Sequence, residues 1–256
     1  MSGLGIGPRD VVALARHARD VAPRGPLLVM GVLAEQLARE LVAGGDPQLV
    51  QTRGNPAEAA ALVCVVAGAA TAADEEALRV ATRALVPVVA VQTGPAPVRI
   101  PYVLATDVVE CEPGKGFPVA DIADTLAAAL GRNGASLAGS LPVLRDAVER
   151  RRTIDGALAA GALAFASDPR PRLPVLALAQ SRMLSELDTA AGRPAPQEAR
   201  ATAEAIAPPL VAALASGLVA RTVVRRLPFR NRLLDSVVAA AATYGLAAAF
   251  RLVRRL

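Results

Sequence analysis

The sequence predicts an α/β protein: a doubly wound, mostly parallel sheet over residues 1–135, followed by an all-helical domain over 136–256. Three observations lead there. Short, continuous, β-rich apolar runs alternate with amphipathic helical spacing in the first half, as in strands covered on both faces. Beyond residue 136 the apolar spacing becomes wholly helical. A chain of 256 residues that is 53% hydrophobic and 20% charged holds enough apolar surface for two packed domains.

The elements follow in order. Asp10–Val21 carries Val11, Leu14, Ala15, Ala18 and Val21 at helical spacing, a short lead-in helix, with His17 beside the stripe as an ordinary surface histidine. Pro26–Gly31 is a first strand bounded by Pro and Gly, and Leu33–Ala43 a helix closed by Gly44-Gly45. Gln48–Arg53 reads as a short second strand and Ala60–Ala67 as a continuous third. Thr71 can cap a helix that has Asp74, Glu75 and Glu76 in its first turn, against the positive end of the dipole. Leu78, Ala81, Ala84 and Leu85 would form its inner face. Pro87–Val91 is a fourth strand, and Pro95, Pro97 and Pro101 stiffen a loop. Tyr102–Ala105 with Val108–Cys111 gives an interrupted fifth strand, and Val119–Leu130 a helix ending at Gly131. Strands alternating with helices of this length imply right-handed crossovers and a parallel sheet.

In the second half, Ser140 can cap a helix with Pro142 in its first turn, running to Ala166. Arg150, Arg151 and Arg152 read as a solvated stretch of that helix. Asp168–Pro174 breaks the chain before a helix at Val175–Leu187, and further helices cover Gln197–Arg226 and Arg232–Leu252. Uncharged stretches of 16 residues before Arg221 and 15 before Arg251 fall short of the roughly 20 that a full span requires. A buried bundle or a hairpin entering part of one leaflet is the expectation.

Composition removes several functions. Two cysteines cannot build a disulfide scaffold or a four-cysteine zinc site, and one histidine removes His-rich metal centres and makes triads improbable. Cys64 and Cys111, both in strand runs, read as buried free thiols. Aromatics at 2% with no Trp leave no base-stacking platform. The acids Glu75, Glu76, Asp121 and Asp124 read as helix-start and helix-face residues rather than a catalytic pair. Met1–Pro8 lacks the basic start and apolar run of a secretory signal, so a reducing cytoplasm is expected.

The charge is uneven. The chain carries +5, yet Arg221, Arg225, Arg226, Arg230, Arg232, Arg251, Arg254 and Arg255 face one acid, Asp235, from Arg221 onward. That tail is net +7 and leaves residues 1–220 at −2. A basic, apolar tail on a mildly acidic body points to an anionic surface, and these eight arginines are the candidate membrane or partner contacts.

The order of strands and helices resembles a Ras/Era-like G domain. Such a domain needs G-x-x-x-x-G-K-[ST] after its first strand, so that backbone N–H groups, a Lys and a hydroxyl hold the phosphates. Here the stretch reads Gly31-Val32-Leu33-Ala34-Glu35-Gln36-Leu37, with no second glycine, lysine or hydroxyl, and with a carboxylate added. No D-x-x-G follows Val66, where Ala67-Gly68-Ala69-Ala70 stands; Gln92-Thr93-Gly94-Pro95 replaces the guanine-reading N-K-x-D. Glu112-Pro113-Gly114-Lys115-Gly116 keeps a turn without the usual Ser-Ala, and Lys115 reads as a solvated turn residue.

Residues 153–252 resemble a YcjF-type domain through Leu173–Gln180, Met183-Leu184 with Gly192, Arg226-Leu227-Pro228 and Thr243-Tyr244-Gly245. Phe229 stands where that family has a glycine. The resemblance implies a bacterial protein on the cytoplasmic face of the inner membrane, found beside or fused to GTPases, and it supplies no catalytic residue. The expected function is therefore a non-enzymatic, membrane-associated adaptor with a pseudo-GTPase half, taking no cofactor and no metal. Its expected partners are the cytoplasmic membrane surface or a membrane protein, with an intact GTPase and a second copy of the chain as further candidates. The alternatives are a GTPase-like hydrolase with a divergent phosphate loop, and nucleic-acid binding through the arginine tail, whose affinity would fall steeply with salt.

Overall fold

Five parallel strands form one sheet in the order β2-β1-β3-β4-β5. They are β1 (Leu27–Gly31), β2 (Val50–Gln51), β3 (Ala61–Val66), β4 (Val88–Thr93) and β5 (Val108–Cys111). The computed structural model describes residues 25–94, 99–112, 114–166, 172–193 and 232–255. The expected helices at 10–21 and 197–226, His17, and the arginines 221, 225, 226 and 230 lie outside them.

The apolar runs are continuous because both sheet faces are covered. Leu27 and Val29 of β1, Ala61, Val63 and Val65 of β3, and Val89 and Val91 of β4 point into one core cluster. Leu28, Leu62, Cys64, Val66 and Ala90, the alternate residues, point into the other. Period-2 geometry divides each run between two layers, so every position of β3 is buried. The first core is closed by α1 (Ala34–Val42), α3 (Val119–Leu130), α4 (Gly134–Ser140) and the start of α5 (Pro142–Ala166), through Leu37, Leu41, Ile122, Leu126, Leu137 and Leu144. The second is closed by α2 (Ala72–Arg83) through Ala77, Leu78 and Ala81.

Local signals set the helix ends. At α2 the Thr71 hydroxyl accepts the Asp74 N–H at 3.2 Å while the Asp74 carboxylate accepts the Thr71 N–H at 2.9 Å, a reciprocal capping box. Its far end corrects the expected inner face: α2 stops at Arg83, and Leu85 takes φ 58° and is 90% exposed. The Leu85 N–H bonds back to the Thr82 carbonyl and the Val86 N–H to that of Ala81, so this terminating turn swings Leu85 outward. Two strands are shorter than expected. β2 keeps only Val50–Gln51, flanked by a 3-10 turn at Pro47–Leu49, and Ala105–Asp107 forms a 3-10 turn ahead of β5. Ser140 closes α4 rather than capping α5, which Pro142 opens.

The second half is helical in α5, α6 (Arg172–Ala190) and α7 (Arg232–Arg255). Among the described residues, those up to Val148 with Ala190–Gly192 form one compact unit; Glu149–Thr189, Arg193 and 232–255 form the other. In the second unit α6 meets α7 through Met183, Leu184, Leu187 and Ala247, with Leu246 and Phe250 alongside.

The two thiols differ. Cys64 is fully buried, and desolvation, with the nearby Asp74 carboxylate adding to it, pushes its thiol from 9.0 up to about 12. Cys111 is half-exposed, against the expectation of burial, and its Sγ donates to the Gly116 carbonyl at 3.0 Å. Because the folded chain holds the Cys64 proton more tightly than the unfolded chain, its contribution to stability is complete below pH 9.0 and is lost as pH rises towards about 12. The urea midpoint of the wild type should therefore fall more steeply above pH 9 than that of Cys64→Ala; parallel curves would refute the linkage.

Candidate functional site

A doubly wound sheet binds ligands beyond the carboxyl ends of its strands, beside the point where strand order reverses. Here the chain passes from β1 to β2 on one side and then crosses to β3 on the other side of β1, so the reversal falls between β1 and β3. An open depression of about 490 Å³ lies on the β2 side of β1, between the β1–α1 connection and the exit of β2, lined by Gly31, Leu33, Glu35, Arg39, Thr52 and Arg53 among others.

The connection is only two residues long, Val32 and Leu33. Gly31 takes φ 93° and the Val32 N–H donates to the Val65 carbonyl of β3 at 3.0 Å, so that donor is committed to the sheet. Leu33 adopts φ 59° at the head of α1 with no side-chain cap, and its carbonyl accepts from Gln36 and Leu37 at 3.0 and 3.1 Å. A phosphate loop instead wraps several free N–H groups around an anion. This link is too short to wrap one and presents apolar side chains, with Val32 46% and Leu33 52% exposed.

The polar groups nearby do not converge on an anion either. Glu35 brings its carboxylate into the first turn of α1, and the Arg39 Nε donates to the Glu35 carbonyl at 3.2 Å. Lys115 sits on an exposed turn, ion-paired to Glu112. Glu76 pairs with Arg79, while Asp74, Glu75 and Asp121 lie in helix first turns. Among the described residues no three His, Cys, Asp or Glu side chains group as metal ligands.

Of the eight tail arginines, Arg232, Arg251, Arg254 and Arg255 fall within α7 and Arg251 is half-buried. The basic run at 150–152 needs correction. Arg151 is exposed and pairs with Asp155 at 3.2 Å, but Arg152 is 6% exposed and reaches Glu186 of α6, Nη1 to Oε2, at 3.3 Å. Arg182 holds the other oxygen of Glu186, Nε to Oε1, at 3.2 Å. Sequence reasoning missed this cluster, because a run of three arginines hides which one faces a neighbouring helix; Arg182 and Glu186 at i,i+4 were its only visible half.

No family model matches the chain, nor does any curated protein or solved structure.

Proposed function

We propose that the chain is a non-catalytic, membrane-associated adaptor whose α/β unit is a G-domain-like scaffold without the nucleotide apparatus. The observation that carries this reading is the two-residue link after β1, with its one sheet-committed N–H and the Glu35 carboxylate beyond it. Strand order supports the kinship, since a Ras/Era-like sheet without its antiparallel strand has the same parallel order. On that alignment the D-x-x-G position is the exit of β2 rather than of β3. It reads Gln51-Thr52-Arg53-Gly54, keeping the glycine and replacing the magnesium-holding acid by glutamine.

A nucleoside triphosphate here would meet the Glu35 carboxylate where a phosphate loop supplies a lysine; of the two cations lining the depression, Arg39 donates its Nε to the Glu35 carbonyl, and Arg53 stands at the exit of β2 rather than in the loop. The scaffold then serves as a protein-binding surface, and the helical unit, similar to YcjF-type domains, holds it at the cytoplasmic face of the inner membrane near an intact GTPase. Calorimetric titration of the full chain with GTP, GDP and ATP, each with magnesium, should give no binding heat. Micromolar affinity for any of them would overturn the pseudo-GTPase assignment and restore the hydrolase alternative.

A further inference from the structure

The depression on the β2 side of β1 holds two cations that the fold leaves without a counter-charge. Arg39 stands in the last turn of α1 and Arg53 just past β2, and both are exposed. Among the described residues neither guanidinium pairs with a carboxylate. Arg39 gives only its Nε, to the Glu35 carbonyl, and Arg53 makes no side-chain hydrogen bond. Glu35 and Arg39 even have the i,i+4 order in which a helical ion pair forms readily, and none forms.

The apolar part of this surface is held out against backbone preference. Leu33 takes φ 59°, a left-handed conformation that a non-glycine residue enters at a cost. What the head of α1 needs there is the Leu33 carbonyl, which accepts from Gln36 and Leu37; glycine would supply it without strain. The leucine side chain gains little burial in exchange, being 52% exposed, with Val32 beside it at 46%. Strain kept without a packing gain points to a surface used for contact with something else.

Resting on the scaffold reading above, we infer that this depression docks a segment of a partner protein in which an apolar side chain is flanked by carboxylates. The apolar group meets Val32 and Leu33, and the carboxylates meet Arg39 and Arg53. The two guanidinium groups come from different elements and do not close on one anion, so each takes its own carboxylate through paired N–H donors. Arg39 keeps both Nη groups for this.

Charge density selects among anionic partners. Two arginines against one glutamate leave the depression at +1, with the Glu35 carboxylate in the first turn of α1. A polyphosphate or nucleic-acid backbone would crowd its oxygens against Glu35, whereas carboxylates spaced along an apolar segment need not. A small ligand requires a pocket that encloses most of its surface, and this hollow is open. Arginine beside apolar groups is also the composition found at the energetic centre of protein interfaces.

Random peptides displayed on phage and selected on the full chain at low salt should become enriched in sequences that set Leu, Ile or Phe between Asp or Glu. An enriched peptide is then synthesised with a fluorophore and titrated by anisotropy. Its affinity should fall about tenfold for Arg39→Ala and for Arg53→Ala, further for Arg53→Glu, and its Asn/Gln version should not bind. Leu33→Gly separates binding from folding: the urea midpoint should hold or rise as the left-handed strain is removed, while the peptide weakens about tenfold. No enrichment, enrichment of basic or uncharged peptides, or affinities unmoved by the arginine variants would refute the acidic partner. Malonate binding as tightly as the peptide would replace it by a small dicarboxylate. A chain that is dimeric, and made monomeric by Arg53→Glu, would assign the depression to a second copy. Titration with magnesium GTP keeps the two readings apart. Nucleotide binding overturns the pseudo-GTPase scaffold whatever the peptides do, whereas failed peptides without nucleotide binding remove this partner alone.

Discussion

Gly31→Val should unfold the α/β unit or leave it marginal, with a loss of at least about 3 kcal/mol. Gly31 takes φ 93°, and a Cβ there would stand 2.1 Å from the Val65 carbonyl oxygen. That oxygen belongs to the central strand β3 and already accepts the Val32 N–H. Neither atom can move without shifting the β1–β3 register, in which Gly31 is opposite Val65. Gly44 supplies the control: it also has a positive φ, 74°, but nothing lies within 4 Å of an added Cβ. Gly44→Ala should cost only the strain of a left-handed backbone, about 1 kcal/mol. Urea unfolding followed by far-ultraviolet circular dichroism measures both, and equal losses would show that the collision at Gly31 relaxes freely. The glycine that a phosphate loop would use for close approach of a ligand is used here for close approach of two strands.

Glu186→Ala should be the most damaging single change in the helical unit, costing about 3–5 kcal/mol. Glu186 is shared by two guanidinium groups, and Arg152 is only 6% exposed, with its Nη2 lacking a partner among the described residues. Removing the carboxylate leaves that cation desolvated and uncompensated, which is far worse than never having placed it there. Arg152→Leu should cost much less, because Glu186 keeps Arg182 and is partly solvated. The double variant Arg152→Leu/Glu186→Leu should recover most of the Glu186→Ala loss. Thermal unfolding of the wild type and the three variants gives the ordering. Equal losses for Glu186→Ala and Arg152→Leu would mean that stranding a buried charge is not what makes the first change costly.

Much of the fold was legible because it is written in local periodicity. The run Leu62–Val66 suits a strand covered on both faces, and Thr71 with Asp74 announces a helix start through groups three residues apart. Failures occurred where a distant contact overrode a local pattern, or where a turn did. Leu85 fits the apolar stripe of α2 yet is turned out by the hydrogen bonds that end the helix. Arg152 reads as one of three solvated arginines until α6 brings Glu186 to it from 34 positions away.

The candidate site divides along the same line. The missing lysine and hydroxyl after Gly31, and the carboxylate of Glu35, are facts of the sequence and by themselves argue against phosphate chemistry. Which loops share an edge of the sheet is a property of strand order, and only the pairing of β1 with β2 on one side and β3 on the other brings Thr52 and Arg53 to the depression beside Gly31. Side-chain inventory is fixed residue by residue and survives any folding. Which side chains become neighbours depends on long-range pairing, whose free energy is set by contacts between segments that no short window of sequence contains.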